Sequence, residues 1–581
     1  MSALDSQLVS SPTQPDPAVG NLIGVFTGSK WWPSARQVAR LSLVLQGLLV
    51  FVVCYGFHAQ LAPYGVDPHH DGIMFKPALD VSQGKMVFRD TFTQYGGVTV
   101  LLQAAALKVF GARLVVIKMQ TAVTYGLCFL VFWRAWSRLV PSPIAVMLCL
   151  VGAVLGPDSV AEALPWSSVF ALLFQALALL LAMRYLERGR DVELVLSGAS
   201  AALAFWCRQP VGVFLAAGML GALLVISLRM PPRYAELPGK YSMRLFFGDD
   251  WRGRALSAML LYGGGFVLVN AVIMLWLASY GALDHWWKQS IVLAKIWSET
   301  TGQGHSLPFV LSCLFPAGHL RMWCLLATAV VISTIRTGSP FLDPKSSNFS
   351  FNGALGLLAS VVALTSWMQF YPVACNYHCY WGGIPMLGVF AYLLYSTHLS
   401  SSLVVRSSIV IVASGLLFYD DAKVRIEAVK PHIGGINVPI HGIPALEGMY
   451  SSYAEVKSYE ALASLFQTYL EAYPEGTVVT GLGDGLFPAL LPRQASYHPF
   501  YMNWPSITPR VYPDRHDAYV SYIKDFRPII VGGAEDNTYV QVASLYFWGY
   551  PYYIWFPVEL HPTEFVTCDA SGTCQRSPLK S

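Results

Sequence analysis

Long runs of apolar residues, separated by short polar breaks, fill roughly the first 420 positions of the chain. A helix needs about 20 such residues to span a bilayer. About eleven windows approach this length; they cover residues 39–58, 112–136, 139–156, 166–186, 192–208, 210–228, 255–280, 320–336, 353–370, 381–398 and 402–418. The pattern therefore predicts an α-helical, polytopic membrane protein.

Basic residues in the gaps between these windows predict the orientation of the chain. They precede the first window and follow the second, fourth, sixth and eighth, and they include Lys30, Arg36, Arg134, Arg138, Arg188, Arg190, Arg233, Arg254, Arg336 and Lys345. Since Lys and Arg collect in cytoplasmic loops, we expect a cytoplasmic N-terminus and, after an odd number of spans, an external C-terminus. Residues 1–21 lack a basic start followed by an apolar stretch, so we expect no cleaved signal peptide.

The polar tail after the last window predicts a separate domain. A helix-like segment at 459–473 alternates with short β-branched segments at 477–484 and 528–533 that contain glycine, a pattern typical of a small α/β fold. We therefore expect a cytoplasmic segment at 1–36, a membrane domain at 37–418 and a soluble, exported α/β domain at 419–581. Cys568 and Cys574 in this tail predict a disulfide, with two free thiols as the alternative.

Composition narrows the class of protein. Of the 581 residues, 54% are hydrophobic and only 12% are charged, whereas roughly a quarter are charged in soluble proteins. This excludes a soluble enzyme and makes membrane lipid the expected surroundings. The net charge of +4 is spread over loops rather than gathered into a patch, so we expect no nucleic-acid partner.

The first outward loop carries the sharpest polar signature. Asp67-Pro-His-His-Asp71-Gly follows the first window, and helix patterns at 73–83 and 98–110 are too short to span, which suits two helices lying in the interface. Asp71 fits the N-cap of a helix that starts at Gly72, and it also fits a base that deprotonates an acceptor hydroxyl; the two roles are compatible. His69 and His70 beside it are candidates for binding the acceptor.

Other outward segments place polar side chains next to apolar windows. Asp158 and Glu162, in the loop before the fourth window, either position an acceptor or belong to a solvated turn that Asp158 caps. Arg208 ends the fifth window, where an arginine either snorkels or holds an anion such as a phosphate. After the ninth window, His378 and Tyr380 offer hydrogen bonds to a phosphate or a substrate.

The same segment contains three residues of types that bind metals. Cys375, His378 and Cys379 lie close in sequence, but the spacing lacks a fourth ligand and is not a standard zinc pattern. We therefore expect no metal here. A disulfide between Cys375 and Cys379 remains an alternative.

The order of these features resembles the GT-C superfamily of membrane glycosyltransferases, most closely the branch of the lipid A aminoarabinose transferases and the protein O-mannosyltransferases. The resemblance extends over roughly residues 37–230 and more loosely over 350–400. It rests on four elements: His70-Asp71-Gly after the first span, Phe110-Gly111 at the end of the second interfacial helix, the acidic loop with Asp158 and Glu162, and Arg208-Gln-Pro-Val-Gly.

The resemblance implies a GT-C-like fold and the transfer of a sugar from a polyprenyl-phosphate donor on the outer face of the membrane. Asp71 would be the base, Asp158 its partner or an acceptor-positioning acid, and Arg208 the ligand of the donor phosphate, helped by His378 or Tyr380. The chemistry implied is inversion at the anomeric carbon without a metal or another cofactor.

Two departures from the family pattern affect this assignment. The usual Asp-Glu pair is Asp71-Gly72 here, and the basic residue that opens the second interfacial helix is replaced by Tyr95-Gly96-Gly97. If the donor phosphate is bound at this point, other side chains must replace the contacts of this basic residue. The sequence offers three: Lys85, Arg89 and Tyr95.

The expected reaction moves one sugar to a hydroxyl of a lipid, polysaccharide or protein acceptor. The exported domain has no Asn-x-Ser/Thr triplet, which favours a bacterial inner membrane with this domain in the periplasm. The domain is expected to cover the interfacial helices, with His498, Tyr501 and Trp504 as possible acceptor contacts. Sequence leaves open the sugar, the acceptor and the oligomeric state.

Two rival classes remain at this point. A transporter or flippase of lipid-linked sugars would need a polar path through the bilayer, for which the windows offer little beyond Lys118, Gln120 and Gln175. A non-catalytic subunit of glycan assembly would use the exported domain to bind a partner.

Overall fold

The structure is a computed structural model that describes residues 35–156, 164–227, 251–300, 321–342, 350–367, 369, 376–396, 402–480, 485–491, 508–533 and 537–579. Contacts between residues divide the chain into two units, residues 1–49 and residues 50–581. The described part of the first unit is the beginning of one helix, α1. The second unit holds every site considered below.

The helices of the membrane domain follow the apolar windows. They are α1 (Ala35–Ala59), α2 (His70–Ser82), α3 (Gly97–Phe110), α4 (Leu114–Trp136), α5 (Ser142–Leu155), α6 (Ser167–Arg188), α7 (Asp191–Cys207), α8 (Gln209–Ser227), α9 (Trp251–Ala258), α10 (Gly264–Ser279), α11 (Leu283–Trp287), α12 (Leu293–Thr300), α13 (Arg321–Leu342), α14 (Phe351–Trp367), α15 (Asn376–Tyr395) and α16 (Leu403–Gly435). Single π-helical turns, Met259–Gly263 and Lys288–Val292, join α9 to α10 and α11 to α12.

Among the described residues, seven helical segments are long and apolar enough to cross a membrane: Arg40–Ala59, Leu114–Trp136, Ser167–Arg188, Gln209–Ser227, Arg252–Ser279, Met322–Leu342 and Leu403–Gly435. Each of the eleven predicted windows overlaps a helix, but α5, α7, α14 and α15 are not among these seven. The chain is thus a multi-pass membrane protein, and its total of eleven crossings stays a prediction.

The bundle is built by helices that bury one face and expose another. α6 packs against α4 and α7, and α14 packs against α8, α13 and α15. On α10, by contrast, Val267, Val272 and Leu275 are exposed. Apolar side chains on an outward face are expected where lipid, rather than water, surrounds a helix.

The last membrane helix differs from its prediction. The apolar window ends at 418, but α16 continues to Gly435. The helix therefore crosses the predicted boundary at 418/419, and the first strand of the C-terminal domain begins only at Val438.

The C-terminal domain is a mixed sheet with helices against it, in agreement with the predicted α/β class. Its elements are β1 (Val438–Pro439), β2 (Tyr450–Ser451), α17 (Tyr453–Ala472), β3 (Val478–Thr480), α18 (Leu486–Ala489), α19 (Thr508–Val511), α20 (Pro513–Phe526), β4 (Ile529–Val531), β5 (Tyr539–Phe547), β6 (Tyr550–Pro557), β7 (Glu564–Cys568) and β8 (Cys574–Pro578). In the described part, the order of the larger sheet is β3-β4-β6-β5-β7-β8, and β3–β4 and β5–β7 pair in parallel.

Local sequence signals explain two of these elements. The side chain of Ser452 caps α17 by accepting a hydrogen bond from the backbone N–H of Glu455, the spacing of a capping box. Cys568 and Cys574 are paired residues of the β7–β8 ladder and are joined by a disulfide. The covalent bond closes the hairpin that ends the described chain.

Backbone hydrogen bonds attach this domain to the first loop of the membrane domain. Tyr450 donates its N–H to the carbonyl of Pro63 at 2.8 Å and accepts from Gly65 at 2.9 Å. Leu486, at the start of α18, donates to the carbonyl of Pro68 at 3.3 Å. The C-terminal domain therefore contacts the chain at the point where α2 begins.

Candidate active site

The entry to α2 is organised by Asp67. Its Oδ1 accepts the backbone N–H groups of His69 and His70, both at 2.9 Å, and its own N–H donates to Oδ2 of Asp71 at 3.0 Å. These bonds satisfy N–H groups that a helix start leaves without intrahelical partners. The helix begins at His70 rather than Gly72, with His69 at the N-cap position, so the predicted N-cap role of Asp71 is wrong.

Asp71 lies in the first turn of α2 and is fully buried. Its Oδ2 forms an ion pair of 2.8 Å with Nζ of Lys118, from the first turns of α4, and Lys118 also donates to the carbonyl of Gly65 at 2.8 Å. Within the described residues, Oδ1 of Asp71 accepts no hydrogen bond. The carboxylate thus has one oxygen held by Lys118 and one buried oxygen without a hydrogen-bond donor among the described residues.

The surroundings act on the acidity of Asp71 in two directions. Burial raises the pKa of its carboxyl above the ordinary value, because the charged form loses its hydration. The positive charge of Lys118 partly opposes this rise. A buried carboxyl with a raised pKa next to a cation is a suitable proton acceptor.

His70 and Asp67 form a second pair beside Asp71. Nδ1 of His70 lies 2.5 Å from Oδ2 of Asp67. Burial pushes the pKa of Asp67 up, but its bonds to His70 outweigh this, so that its pKa falls below the ordinary value. His69 and His70 are half-buried, and their rings lie 5.0 Å apart. Both are therefore partly accessible at the start of α2, and their role in binding an acceptor stays a prediction.

Arg208 lies in the break between α7 and α8 and is only 6% exposed. Its Nη1 donates to Oγ of Ser168 at 2.5 Å, and its Nη2 donates to the carbonyl of Gln369 at 3.1 Å. Nη2 also lies 3.3 Å from Nε2 of His378. Side chains of α6 and α15 and the carbonyl of Gln369 thus fix the guanidinium.

A cavity of about 300 Å³ opens beside Arg208. Its lining includes Tyr95, Gln209, Gln289, Trp297 and His378. No carboxylate lines this cavity within the described part of the chain. A buried cation at the wall of such a cavity is suited to a phosphate group.

The ring of Trp166 lies between His70, at the start of α2, and Tyr95, in the lining of the cavity beside Arg208. The ring of Trp166, just before α6, lies 5.3 Å from His70 and 5.0 Å from Tyr95. Trp166 is buried. The acids at the start of α2 and the cavity of Arg208 are therefore neighbouring parts of one region.

Two basic candidates lie outside that cavity. Nζ of Lys85 pairs with Oδ1 of Asp80 at 2.9 Å, and Arg89 forms two hydrogen bonds with the carboxylate of Asp90 at 2.7 and 2.8 Å. Neither side chain lines the cavity beside Arg208. Of the three substitutes that the sequence offers for the missing basic residue, only Tyr95 lines the cavity.

The remaining predicted residues divide into two groups. The hydroxyl of Tyr380 donates to the carbonyl of Gly152 at 3.0 Å, which gives it a packing role instead of the predicted phosphate contact. Asp158, Glu162, Cys375, His498, Tyr501 and Trp504 lie outside the described residues. Among the residues described, no group of three His, Cys, Asp or Glu side chains has the arrangement of a metal site.

Sequence reasoning missed three residues that organise this region. From the sequence, Lys118 was only an isolated polar residue in an apolar window, and Asp67 was only the first residue of the motif that contains Asp71. Gln289 was not considered, yet it accepts from the N–H of Thr93 at 3.0 Å and donates to the carbonyl of Phe88 at 2.7 Å. A lysine inside an apolar window was the available signal, since such a cation needs an acidic partner.

Gly72 and Gly96, which belong to the two departures from the family pattern, each lie close to another part of the backbone. A Cβ on Gly72 would lie 2.1 Å from the backbone nitrogen of Leu486, in the C-terminal domain. A Cβ on Gly96 would lie 1.9 Å from the carbonyl oxygen of Trp206. A larger residue at either position would therefore require the neighbouring backbone to shift.

Comparison with known proteins gives likeness of fold. No family model matches the chain, and no curated protein matches it. The crystal structure of ArnT from Cupriavidus metallidurans in the apo state matches with a TM-score of 0.50 and 13% identity, over 90% of this chain and 99% of that one.

Two further structures have lower scores. ArnT from Cupriavidus metallidurans bound to undecaprenyl phosphate has a TM-score of 0.47 at 13% identity, over 89% of this chain and 98% of that one. The archaeal oligosaccharyltransferase AglB from Archaeoglobus fulgidus, in complex with an inhibitory peptide and a dolichol-phosphate, has a TM-score of 0.46 at 11% identity, over 86% of this chain and 70% of that one. The likeness to ArnT in the apo state is one of fold alone.

Proposed function

We propose that this protein is a membrane glycosyltransferase that moves a single sugar from a polyprenyl-phosphate donor to an acceptor hydroxyl, with inversion. The observation that carries the proposal is the placing of two buried groups in one region. One is the carboxylate of Asp71 with an available oxygen, and the other is the guanidinium of Arg208 at the wall of a cavity.

The reaction would run between these two groups. Oδ1 of Asp71 accepts the proton of the acceptor hydroxyl while its oxygen attacks the anomeric carbon of the sugar. The bond from that carbon to the phosphate oxygen breaks, and its electron pair stays on the phosphate. Arg208 stabilises the charge that develops there, and His378 lies beside it at 3.3 Å.

Lys118 would be a positioning residue in this scheme. It holds Oδ2 of Asp71 and favours the ionised carboxylate, which is the form that accepts a proton. We assign the stabilisation of the leaving phosphate to Arg208 and not to a metal ion. Addition of a strong chelator should then leave the rate of transfer unchanged.

The donor class agrees with what a protein of similar fold binds. ArnT from Cupriavidus metallidurans has been solved with undecaprenyl phosphate, a polyprenyl phosphate. The cavity beside Arg208 has the charge that such a group requires. The acceptor is a lipid, a polysaccharide or a protein, and we propose that it enters at the edge of the C-terminal domain near His69 and His70.

A transporter would need a polar path through the bilayer, and the three polar side chains within the apolar windows each make a local contact. Lys118 pairs with Asp71, Gln120 donates to the carbonyl of Leu102 at 2.9 Å, and Gln175 accepts from Ser366 at 3.1 Å. Each of these side chains therefore serves a local contact. Nothing in their arrangement favours a conducting pathway.

The test is transfer by the full chain in liposomes. Radiolabelled polyprenyl-phosphate pentose, aminopentose and hexose are offered in turn with glycolipid, polysaccharide and hydroxyl-bearing peptide acceptors. The unchanged protein should transfer one label, and Arg208→Ala should lose about 10²–10³-fold in rate. The matched control is Arg113→Gln, an arginine 40% exposed and outside the cavity, which should keep the rate.

Two outcomes would overturn the proposal. One is transfer at the unchanged rate by the Arg208→Ala protein. The other is movement of labelled donor across the bilayer with no product from any pair, which would support the transporter. Mass spectrometry of glycolipids and surface glycans, with and without the protein, would then identify the sugar and the acceptor.

A further inference from the structure

A groove of about 470 Å³ lies in the C-terminal domain, between α17 and the strands at one end of the larger sheet. The helix contributes residues spaced by three and four positions, among them Ala461, Ser464 and Thr468. The sheet contributes residues of β5, β6, β7 and β8. Sites for small ligands occupy about 300–1,000 Å³. The groove is therefore large enough to hold a ligand.

The floor of the groove is apolar. Val542, Phe556 and Val566 come from three neighbouring strands, and all three are buried. Leu465 of α17 and Leu560, after β6, are half-buried beside them. Such a floor offers contact with carbon and hydrogen atoms rather than hydrogen bonds. It favours a ligand that has an apolar face of its own.

The two walls of the groove carry charged side chains in pairs. On α17, Oε2 of Glu460 lies 2.6 Å from Nζ of Lys457, and on the sheet, Oε2 of Glu564 lies 3.0 Å from Nη1 of Arg576. In each of these pairs a positive charge balances a negative one. A carboxylate accepts about four hydrogen bonds and a guanidinium donates five, so one ion pair does not exhaust either group. These walls therefore suit an uncharged ligand that both donates and accepts hydrogen bonds.

Uncharged polar groups extend both walls. Ser464 and Thr468 belong to α17, and His561 and Thr563 lie between β6 and β7. All four side chains are exposed, so they are accessible to a ligand. A sugar ring has hydroxyl groups at its edge and carbon-bound hydrogens on its face. It can exchange hydrogen bonds with these walls while its face packs on the apolar floor.

The wall formed by β7 and β8 is ordered by bonds within its own hairpin. The disulfide between Cys568 and Cys574 closes the hairpin. Within the turn, Oδ1 of Asp569 accepts the N–H groups of Ser571 and Thr573 at 2.9 and 3.1 Å. A wall that is ordered in advance loses little conformational entropy when a ligand binds.

The groove lies on a different side of α17 from the candidate base. Burial and, less strongly, the negative charges of Glu455 and Asp71 raise the pKa of Tyr459, which places Tyr459 on the side of α17 that faces the start of α2. Ser464 follows Tyr459 by five residues, which is about 140° around a helix of roughly 10–12 Å in diameter. A ligand in the groove therefore reaches Asp71 only if it extends around α17, as a chain of several sugars can.

We propose that this groove binds neutral sugar units of a polysaccharide acceptor, at a distance from the unit that reacts. The inference rests on the proposed function and deepens it, because it selects the polysaccharide from the three classes of acceptor. Glu460, Glu564 and Arg576 form hydrogen bonds with the hydroxyl groups of the sugar, and Phe556 and Val566 contact its face. The groove holds the chain while the end of the chain lies at Asp71.

The test is binding of the full chain, in detergent, to an array of neutral and acidic bacterial oligosaccharides of several sugars, with uncharged peptides on the same array. At least one neutral oligosaccharide should bind. Ser464→Trp fills the groove from an exposed position and should abolish this binding. The matched control is Ser521→Trp, at an exposed serine of α20 outside the groove, which should bind as the unchanged protein does.

A second variant removes one hydrogen-bonding group without filling the groove. Glu564→Ala should weaken binding about tenfold, the effect of one hydrogen bond to a charged group. The ion pair that it breaks is exposed and contributes little to stability, so the domain should still fold. Glu475→Ala, at an exposed glutamate outside the groove, is the matched control.

The oligosaccharide that binds should also serve as the acceptor in the liposome assay. Ser464→Trp should then raise KM for this acceptor and leave kcat near normal, because the groove does not contact the reacting atoms. Arg208→Ala, which should lose transfer, should still bind the oligosaccharide on the array. Failure of the proposed function and failure of this inference are therefore distinguishable.

Three results would overturn the inference. The first is the absence of binding to every neutral oligosaccharide, and the second is unchanged binding by the folded Ser464→Trp protein. The third is binding of acidic oligosaccharides alone or of peptides alone, which would indicate a site for an anion or for a protein. A neutral oligosaccharide that binds in the groove but accepts no sugar would likewise contradict its assignment as part of the acceptor.

Discussion

The helix α2 carries two buried aspartates with opposite environments. Asp71 has one oxygen paired with Lys118, and its other oxygen accepts no hydrogen bond within the described residues. Asp80 has Oδ1 between Lys76 at 2.6 Å and Lys85 at 2.9 Å, and Oδ2 accepts from Thr91 at 2.8 Å. Both side chains are 0% exposed, so burial alone does not separate them.

The difference lies in how fully each carboxylate is satisfied. Asp80 neutralises two lysines and holds the turn that follows α2, and burial lowers the pKa of its partner Lys76 to about 8. Asp71 retains an oxygen that accepts no hydrogen bond from the residues that the structure describes. A saturated buried acid stabilises structure, whereas a buried acid with an available oxygen is suited to chemistry.

Asp71→Asn gives the largest expected effect. An amide cannot take the acceptor proton, so the rate of sugar transfer should fall about 10²–10⁴-fold. The measurement is kcat for transfer in liposomes. Asp71→Asn with Lys118→Met removes both charges and should restore stability without restoring activity. Normal transfer by Asp71→Asn would eliminate this residue as the base.

Asp80→Asn should have the opposite effect to Asp71→Asn: the protein should lose stability but keep its rate of transfer. It leaves Lys76 and Lys85 without their counter-charge, and breaking such a buried pair costs about 3–5 kcal/mol. Thermal unfolding followed by tryptophan fluorescence should show a clear loss of stability, while kcat per folded molecule should stay near normal. A stable Asp80→Asn protein that has lost transfer would mean that the two acids had been assigned the wrong way round.

Gly72→Ala tests the close contact between Gly72, which replaces the acid that usually follows Asp71 in the family pattern, and Leu486 of the C-terminal domain. The new Cβ would lie 2.1 Å from the nitrogen of Leu486, so the C-terminal domain must shift, at a cost of about 1–3 kcal/mol. Hydrogen exchange of residues 485–491 should rise. Gly434→Ala, with nothing within 4 Å of its Cβ, is the control. Unchanged exchange in Gly72→Ala would show that the contact is not needed for docking.

Lys118→Met should give the smallest effect on the rate of transfer, a shift in the pH profile of the folded protein, although loss of this buried partner also costs about 3–5 kcal/mol of stability. Lys118 lowers the pKa of Asp71, so its loss raises that pKa further. The base is then ionised only at higher pH, and the acid limb of kcat/KM should move to higher pH while the plateau persists. Lys457→Met, on the exposed face of α17, should leave the limb in place. A limb that moves to lower pH would contradict the pairing.

Local sequence signals determined much of this protein. Every apolar window overlaps a helix because helix formation in a membrane depends on the hydrophobicity of a continuous segment. The Ser452–Glu455 cap and the Cys568–Cys574 pair likewise depend on close spacing along the chain. The candidate base Asp71 and the candidate phosphate ligand Arg208 were both found from motifs at helix ends.

Only the tertiary structure decided which oxygen of Asp71 remains available, because its partner Lys118 comes from another helix. It also assigned the hydroxyl of Tyr380 to Gly152, and Lys85 to Asp80 rather than to a phosphate. A sequence records which groups are present and their local spacing. Which of them become partners depends on packing between distant segments, because electrostatic and hydrogen-bond energies act over a few ångströms of space and not along the chain.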